Sequence, residues 1–235
     1  MDMNDFFARS EALLGEKVME ALRNTRVIIF GVGGVGSYAA EALIRTGLIH
    51  LTIVDGDTVQ ASNLNRQLPA TRATMGLPKV EALKARLLEI NPEAEIVAIP
   101  EFYHTNNDSF NFQLSTFNFI IDAIDSVNDK TDLIINATRA RVKIFSSMGA
   151  ALRFDPTQLT TGELMAIKGD ALAKAVRARM KKLEVHPYRK VRCVYSTEQA
   201  QQCETRGSLM QVTAVFGLTL ASMVVNDIRK EVAIA

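Results

Sequence analysis

The chain is poor in the residues that hold small extracellular or metal-dependent folds together: 235 residues contain two cysteines and three histidines. The cysteines form no Cys-x-x-Cys pair and the histidines are scattered, which argues against a disulfide framework and against structural zinc. Excess charge of one sign is missing too. The 27 Lys and Arg nearly balance 26 Asp and Glu, so overall charge gives no argument for a nucleic-acid partner. No long apolar run is uninterrupted. The longest, from Leu209 to Val225, is broken by Gln211, Thr213, Gly217, Thr219 and Ser222. It reads as a buried helix rather than a membrane span. The opening Met1-Asp-Met-Asn-Asp lacks the basic and apolar regions of a signal peptide, so a cytoplasmic location is expected. Repeats and low-complexity tracts are also absent.

What is present is ordinary for a globular α/β protein: 48% apolar and 23% charged residues. Short apolar runs alternate with helical patterns, the signature of a parallel sheet with crossover helices on both faces. Strands are predicted at Val27–Phe30, Leu51–Val54, Glu95–Ile99, Phe117–Asp122 and Lys143–Ser147. Helices are predicted at about 35–47, 78–90, 106–114 and 127–140, with Gly15–Asn24 a further helix before the first strand. After Gly149 the alternation stops. Leu152–Phe154 and Val191–Tyr195 read as antiparallel strands around a basic helix at 168–183, and a final helix follows Gly207. The expectation is a Rossmann-like core over 1–150, with a smaller β-α-β-α extension over 151–235 packed on it.

Chemistry enters with Gly31-Val-Gly33-Gly34-Val-Gly36, directly after the first strand. Glycines there let the backbone turn and approach an anion at a helix N-terminus, and Gly36 lets the helix pack on the strand. The second strand ends at Asp55, where an acid can bind a ribose hydroxyl. An adenine nucleotide is the expected ligand. A Gly-x-Gly-x-x-Gly turn alone reads by default as a nicotinamide-dependent oxidoreductase. That reading leaves Asn63, Arg66 and Gln67, in one polar loop, and Lys79, at a helix start, without a purpose. Lys79 opposes the helix dipole, and a triphosphate would give it a role. Asp57 reads either as a loop cap or as part of the site. Asp122 and Asp125 end another strand, and one of them suits Mg²⁺.

These motifs, with Ser62-Asn63-Leu-Asn65-Arg66-Gln67, Gly76-x-Pro-Lys79, Ile90-Asn91-Pro92 and Asp122-Ala-Ile-Asp125, resemble in order and spacing the ThiF/MoeB and ubiquitin-activating superfamily. The resemblance implies adenylation of a carboxylate with MgATP. It makes Asp55 the ribose ligand; Asn63, Arg66 and Lys79 the phosphate ligands; and Asp125 the magnesium acid. Phe7-Ala-Arg9-Ser-Glu resembles the segment whose arginine reaches the phosphates of a neighbouring subunit, so a homodimer is implied. Polyanion chemistry of this kind needs fixed cations rather than covalent catalysis.

The C-terminal third is similar to the tRNA threonylcarbamoyladenosine dehydratases in Asp170-Ala-Leu-Ala-Lys-Ala-Val-Arg177, Val191-x-Cys193-Val-Tyr195-Ser196-Thr197-Glu198 and Gly207-Ser-x-x-x-Val-Thr-Ala-Val-Phe-Gly217. That resemblance implies ATP-driven cyclisation of a modified tRNA base, with a sulfur-transfer protein as a possible partner. Nine Lys and Arg between Lys168 and Arg192 stand against Asp170 and Glu184, a local cluster that attracts phosphates. The other reading is an adenylyltransferase for a ubiquitin-like sulfur carrier, against which the missing Cys-x-x-Cys zinc pairs weigh. Cys203 lies in a late loop where related dehydratases carry a cysteine. Ring closure within the substrate needs no thiol, and Cys193 reads as a small core residue.

Overall fold

A computed structural model of the chain describes residues 3–104, 114–205 and 207–234. Helices α1 (Met3–Leu14) and α2 (Glu16–Arg23) precede β1 (Arg26–Phe30). Then come α3 (Gly36–Thr46), β2 (His50–Val54), α4 (Lys79–Ile90), β3 (Glu95–Ile99) and β4 (Phe119–Asp122). The chain continues through α5 (Val127–Arg139) and β5 (Lys143–Ser147), and ends with β6 (Leu159–Glu163), α6 (Ala171–Lys182), β7 (Arg192–Ser196) and α7 (Met210–Ile234). The helix expected at 106–114 lies outside the described residues except for Leu114, which opens a single 3-10 turn.

Seven strands form one sheet in the order β3-β2-β1-β4-β5-β7-β6. All neighbouring pairs are parallel except β6 with β7. Both faces are covered, as the near-continuous apolar strands demand. Val27, Ile29, Ile53, Phe119 and Ile121 pack under α3 and α7. Their neighbours Ile28, Phe30, Ile120 and Ile144 pack under α5 and α6. Alternation along each strand thus sorts the core into two layers. The fold is the α/β, Rossmann-like one that the residue pattern implies.

One strand is misplaced in the sequence reading. Residues 152–154 are not a strand; their backbone donors are used otherwise. Leu152 takes the left-handed region at φ 61, and its N–H donates to the Gly207 carbonyl at 2.9 Å. The N–H groups of Phe154 and Asp155 go to the Glu198 carboxylate. The true partner of β7 is Leu159-Thr-Thr-Gly-Glu163. As an edge strand with little to bury, it carries no apolar run to announce it.

Helix α7 is long and apolar enough by composition to cross a bilayer, yet Val212, Phe216, Leu220 and Val224 are buried in the core. It packs chiefly on α3, and Gly217 is where the two backbones touch. A Cβ there would lie 2.2 Å from the Val35 carbonyl oxygen and 2.9 Å from Tyr38 Cβ. Gly217→Ala gains about 1 kcal/mol of helix propensity but meets backbone, so a net loss of about 1–3 kcal/mol is expected. A rise in the urea midpoint instead would show that the helices can part freely.

The two cysteines differ sharply. Cys193, on β7, is buried, whereas Cys203 is exposed. Burial pushes the Cys193 thiol up to about 12, so at neutral pH it stays a protonated core group. Iodoacetamide at pH 8 should therefore label Cys203 alone in the native protein and both cysteines in denaturant, read by peptide mass spectrometry. Native labelling of Cys193 would contradict this packing.

Candidate functional site

The glycine turn between β1 and α3 leaves no room for a side chain at its two ends. Gly31 has φ 84, and a Cβ there would sit 2.7 Å from the Ala123 carbonyl oxygen; one on Gly36 would sit 1.9 Å from the Gly31 oxygen. Gly36 thus packs helix against turn, while Gly33 and Gly34 face a cleft of about 510 Å³ at the carboxyl ends of the strands. That size suits a small-molecule ligand. Asp55 ends β2 and fixes the turn: Oδ2 accepts from Val32 N at 2.8 Å and Oδ1 from Asp57 N at 2.9 Å. Burial pushes its carboxyl above the usual range, opposed by the Lys79 ammonium and by those two N–H groups. Each oxygen keeps a further lone pair for a hydroxyl donor.

Lys79 opens α4 and is only 5% exposed. A buried cation at the positive end of a helix needs an acid. Asp57 supplies it: Lys79 Nζ donates to Asp57 Oδ2 at 2.6 Å, and Lys79 N donates to the Asp57 carbonyl at 2.9 Å. Asp57 is therefore both loop fastener and counter-ion. Asn63 ends a single 3-10 turn, where its side-chain oxygen accepts from Gln60 N at 3.1 Å. Arg66 Nη1 donates to the Ser62 carbonyl and to Asn65 Oδ1. Gln67 packs on Gly33, and its buried Oε1 has no partner among the described residues. An acceptor in that position asks for a ligand donor.

Beneath the cleft, Lys130 Nζ donates to Asp122 Oδ2 at 2.7 Å and to Ser146 Oγ at 3.2 Å. Ser146 Oγ donates to the same Asp122 oxygen, and both charged side chains are fully buried. Asp122 is thus taken up by the core. Asp125, three residues on, lines the cleft and has no ion pair among the described residues. No cluster of three acids, histidines or cysteines forms a metal cage among the described residues. One free carboxylate still fits Mg²⁺, which usually takes one or two protein carboxylates and completes its shell with phosphates and water.

The cleft gathers Gly31, Gly33, Gly34, Asp55, Asp57, Asn63, Arg66, Gln67, Lys79 and Asp125 from five separate stretches of sequence. Gly36 stands behind it. Arg9 lies exposed on α1 and is not part of the lining of its own chain's cleft. Sequence reasoning missed Phe102 and Tyr103 after β3, Met148 to Ala151 after β5, Ser208 just before α7 and Thr213 in its first turn. The available signal was their place after strand ends, where α/β ligands bind; their residue types gave none.

Comparison with known proteins agrees with this geometry. The profile of the ThiF family matches residues 7–232. The tRNA threonylcarbamoyladenosine dehydratase of Bacillus subtilis is 34% identical, with 97% of this chain and 96% of the relative aligned. The crystal structure of the Escherichia coli tRNA N6-threonylcarbamoyladenosine dehydratase in complex with ATP superposes with a TM-score of 0.93 at 33% identity, covering 99% of this chain and 98% of that one. The molybdopterin-synthase adenylyltransferase of Salmonella typhimurium is 35% identical, but over only 58% of this chain and 53% of its own. With its glycine turn, its acids and cations around one cleft and its end-to-end match, the chain belongs to the ThiF family.

Proposed function

We propose that this protein is an ATP-dependent tRNA threonylcarbamoyladenosine dehydratase. The observation that carries the reading is the cleft itself. Lys79, Arg66 and Asn63 stand around a glycine turn, and relatives of this name match nearly the whole chain. In the proposed reaction the threonine carboxylate of the modified base attacks the α-phosphorus of ATP, and pyrophosphate leaves. A nitrogen of the carbamoyl group then attacks the activated carbonyl, closing the ring and releasing AMP.

Each residue has a part in that sequence. Asp55 holds the ribose, and the glycine turn with the N-terminus of α3 receives phosphate. Lys79 and Arg66 neutralise charge that grows as pyrophosphate departs. Asp125 would hold a magnesium ion, which would supply further positive charge against the phosphates. Lys79 must exchange Asp57 for phosphate, so nucleotide binding is a competition between two anions for one buried ammonium.

The tRNA partner is read from α6 and the segment after it. Three of the nine cations there hold the fold: Arg177 donates to the Leu164 carbonyl, Arg179 pairs with Asp132, and Arg192 pairs with Asp227. Lys168, Lys174, Lys181, Lys182, Arg189 and Lys190 remain exposed for phosphates.

Asp125→Ala should abolish AMP release with modified tRNA while the thermal midpoint stays within a few degrees of wild type. Normal AMP release by the folded variant would overturn the metal assignment.

The working unit is read as a homodimer whose sites are completed by Arg9 in trans. Arg9 is exposed on α1, and an arginine delivered to transferring phosphates contributes about 10³–10⁵ in rate. Mixing Arg9→Ala with Asp125→Ala subunits should restore a fraction of wild-type AMP release, because mixed dimers then hold one intact site. No recovery after verified subunit exchange would place Arg9 in cis, and wild-type AMP release by Arg9→Ala alone would place it outside the reaction.

A further inference from the structure

The free cations of α6, Lys174, Lys181 and Lys182, share one exposed face. Lys174, Ala178, Lys181 and Lys182 are exposed, while Ala173, Val176 and Met180 face the core. Spacings of three and four place the exposed set on one helix face. Leu172, in the first turn, lines the cleft. The helix therefore runs away from the cleft rim over 12 residues, about 18 Å at 1.5 Å per residue, with the lysines on its outer face.

Six residues beyond the helix stands an exposed aromatic side chain. Tyr188 is 64% exposed, although its backbone is fastened by N–H donation to Thr138 Oγ1 at 3.2 Å. The Arg139 guanidinium stands 5.6 Å from its ring centroid. Arg139, Arg141, Arg189 and Lys190 are all exposed, and Glu184 is the one carboxylate between 181 and 192. Residues 189–190 lead into β7, which runs parallel to β5, and α5 ends at Arg139. The patch thus sits at the amino ends of β5 and β7, whereas the cleft lies at the carboxyl ends of the strands.

We propose that Tyr188 is a stacking platform for an unpaired base of the bound RNA, several nucleotides from the one that enters the cleft. Arg139, Arg189 and Lys190 hold the flanking phosphates. The inference rests on the dehydratase reading above and adds a second RNA contact to it. A tethered, solvent-facing ring among cations suits single-stranded RNA, because bases stack on aromatics while the backbone follows positive charge. Helix α6 starts at the cleft lining and exposes Lys174, Lys181 and Lys182 before the chain reaches Tyr188, which favours the same RNA over a separate acidic partner.

The test uses the full-length enzyme, ATP and tRNA carrying threonylcarbamoyladenosine. Tyr188→Ala should raise KM for tRNA about 5- to 150-fold, the range for losing one base–aromatic stack. KM for ATP and kcat at saturating tRNA should not change, and Tyr188→Phe should behave as wild type. Arg139→Gln with Arg189→Gln and Lys190→Gln should flatten the salt dependence of tRNA binding by about 0.7 per lost phosphate contact, whereas Tyr188→Ala should leave that slope alone. Wild-type KM for tRNA in Tyr188→Ala removes the platform and leaves the dehydratase reading standing. So does an equal rise in KM for ATP, which would mark a structural effect reaching the cleft. A wild-type enzyme that neither binds nor turns over the tRNA overturns both.

Discussion

A buried lysine–aspartate pair under the cleft holds its parts in register. Lys130 and Asp122 have no solvent contact, and Ser146 completes their hydrogen bonds from the neighbouring strand. Removing one member of such a pair leaves an uncompensated charge in the core and costs about 3–5 kcal/mol. The pair spans β4, α5 and β5. The second Asp122 oxygen accepts from Ile124 N at 3.1 Å, which pins the turn that follows β4. That turn presents Asp125 on one side and sets the Ala123 carbonyl against Gly31 on the other. Asp125 and the glycine turn are therefore referenced to one ion pair.

Above this floor, the electrostatics of the site are balanced within the chain. Lys79 is held by Asp57, and Asp55 carries a carboxyl raised by burial and restrained by the nearby ammonium. An incoming polyphosphate meets Arg66, whose guanidinium bonds among the described residues only to neutral oxygens, but at Lys79 it meets no bare charge. It meets a cation already partnered, whose partner is half exposed and easily returned to water. This favours ligands able to replace a carboxylate at several points at once, such as a triphosphate, over those bearing a single charge.

The core sheet was legible because each strand pairs an apolar run with a turn residue or a helix cap. Gly31 and Gly36 were legible for steric reasons, and Asp55, Lys79 and Arg66 because charged residues at strand or helix ends are conspicuous. Reading stopped where local pattern and tertiary role part company. Leu159–Glu163 is a strand only because β7 offers it an edge, and Leu152–Phe154 fails to be one because Glu198 and Gly207 claim its backbone. Asp122 and Asp125 look alike in sequence. Lys130, eight positions beyond the first acid, decides which is buried and which faces the cleft. Arg177 and Arg179 look like RNA-binding charges until Leu164 and Asp132 are seen beside them.

The bonds around Leu152 bear on how the cleft can open. Leu152 is joined to the Gly207 carbonyl through its N–H and to Gln201 N through its own carbonyl, while Glu198 grips Phe154 and Asp155. Across the opening, Asn65 Nδ2 donates to the Ser208 carbonyl at 3.0 Å. Three stretches far apart in sequence are thus sewn into one rim. Cys203 lies two residues beyond Gln201 and four before Gly207, both of which bond to Leu152, so a shift of its segment away from Leu152 must break both bonds together.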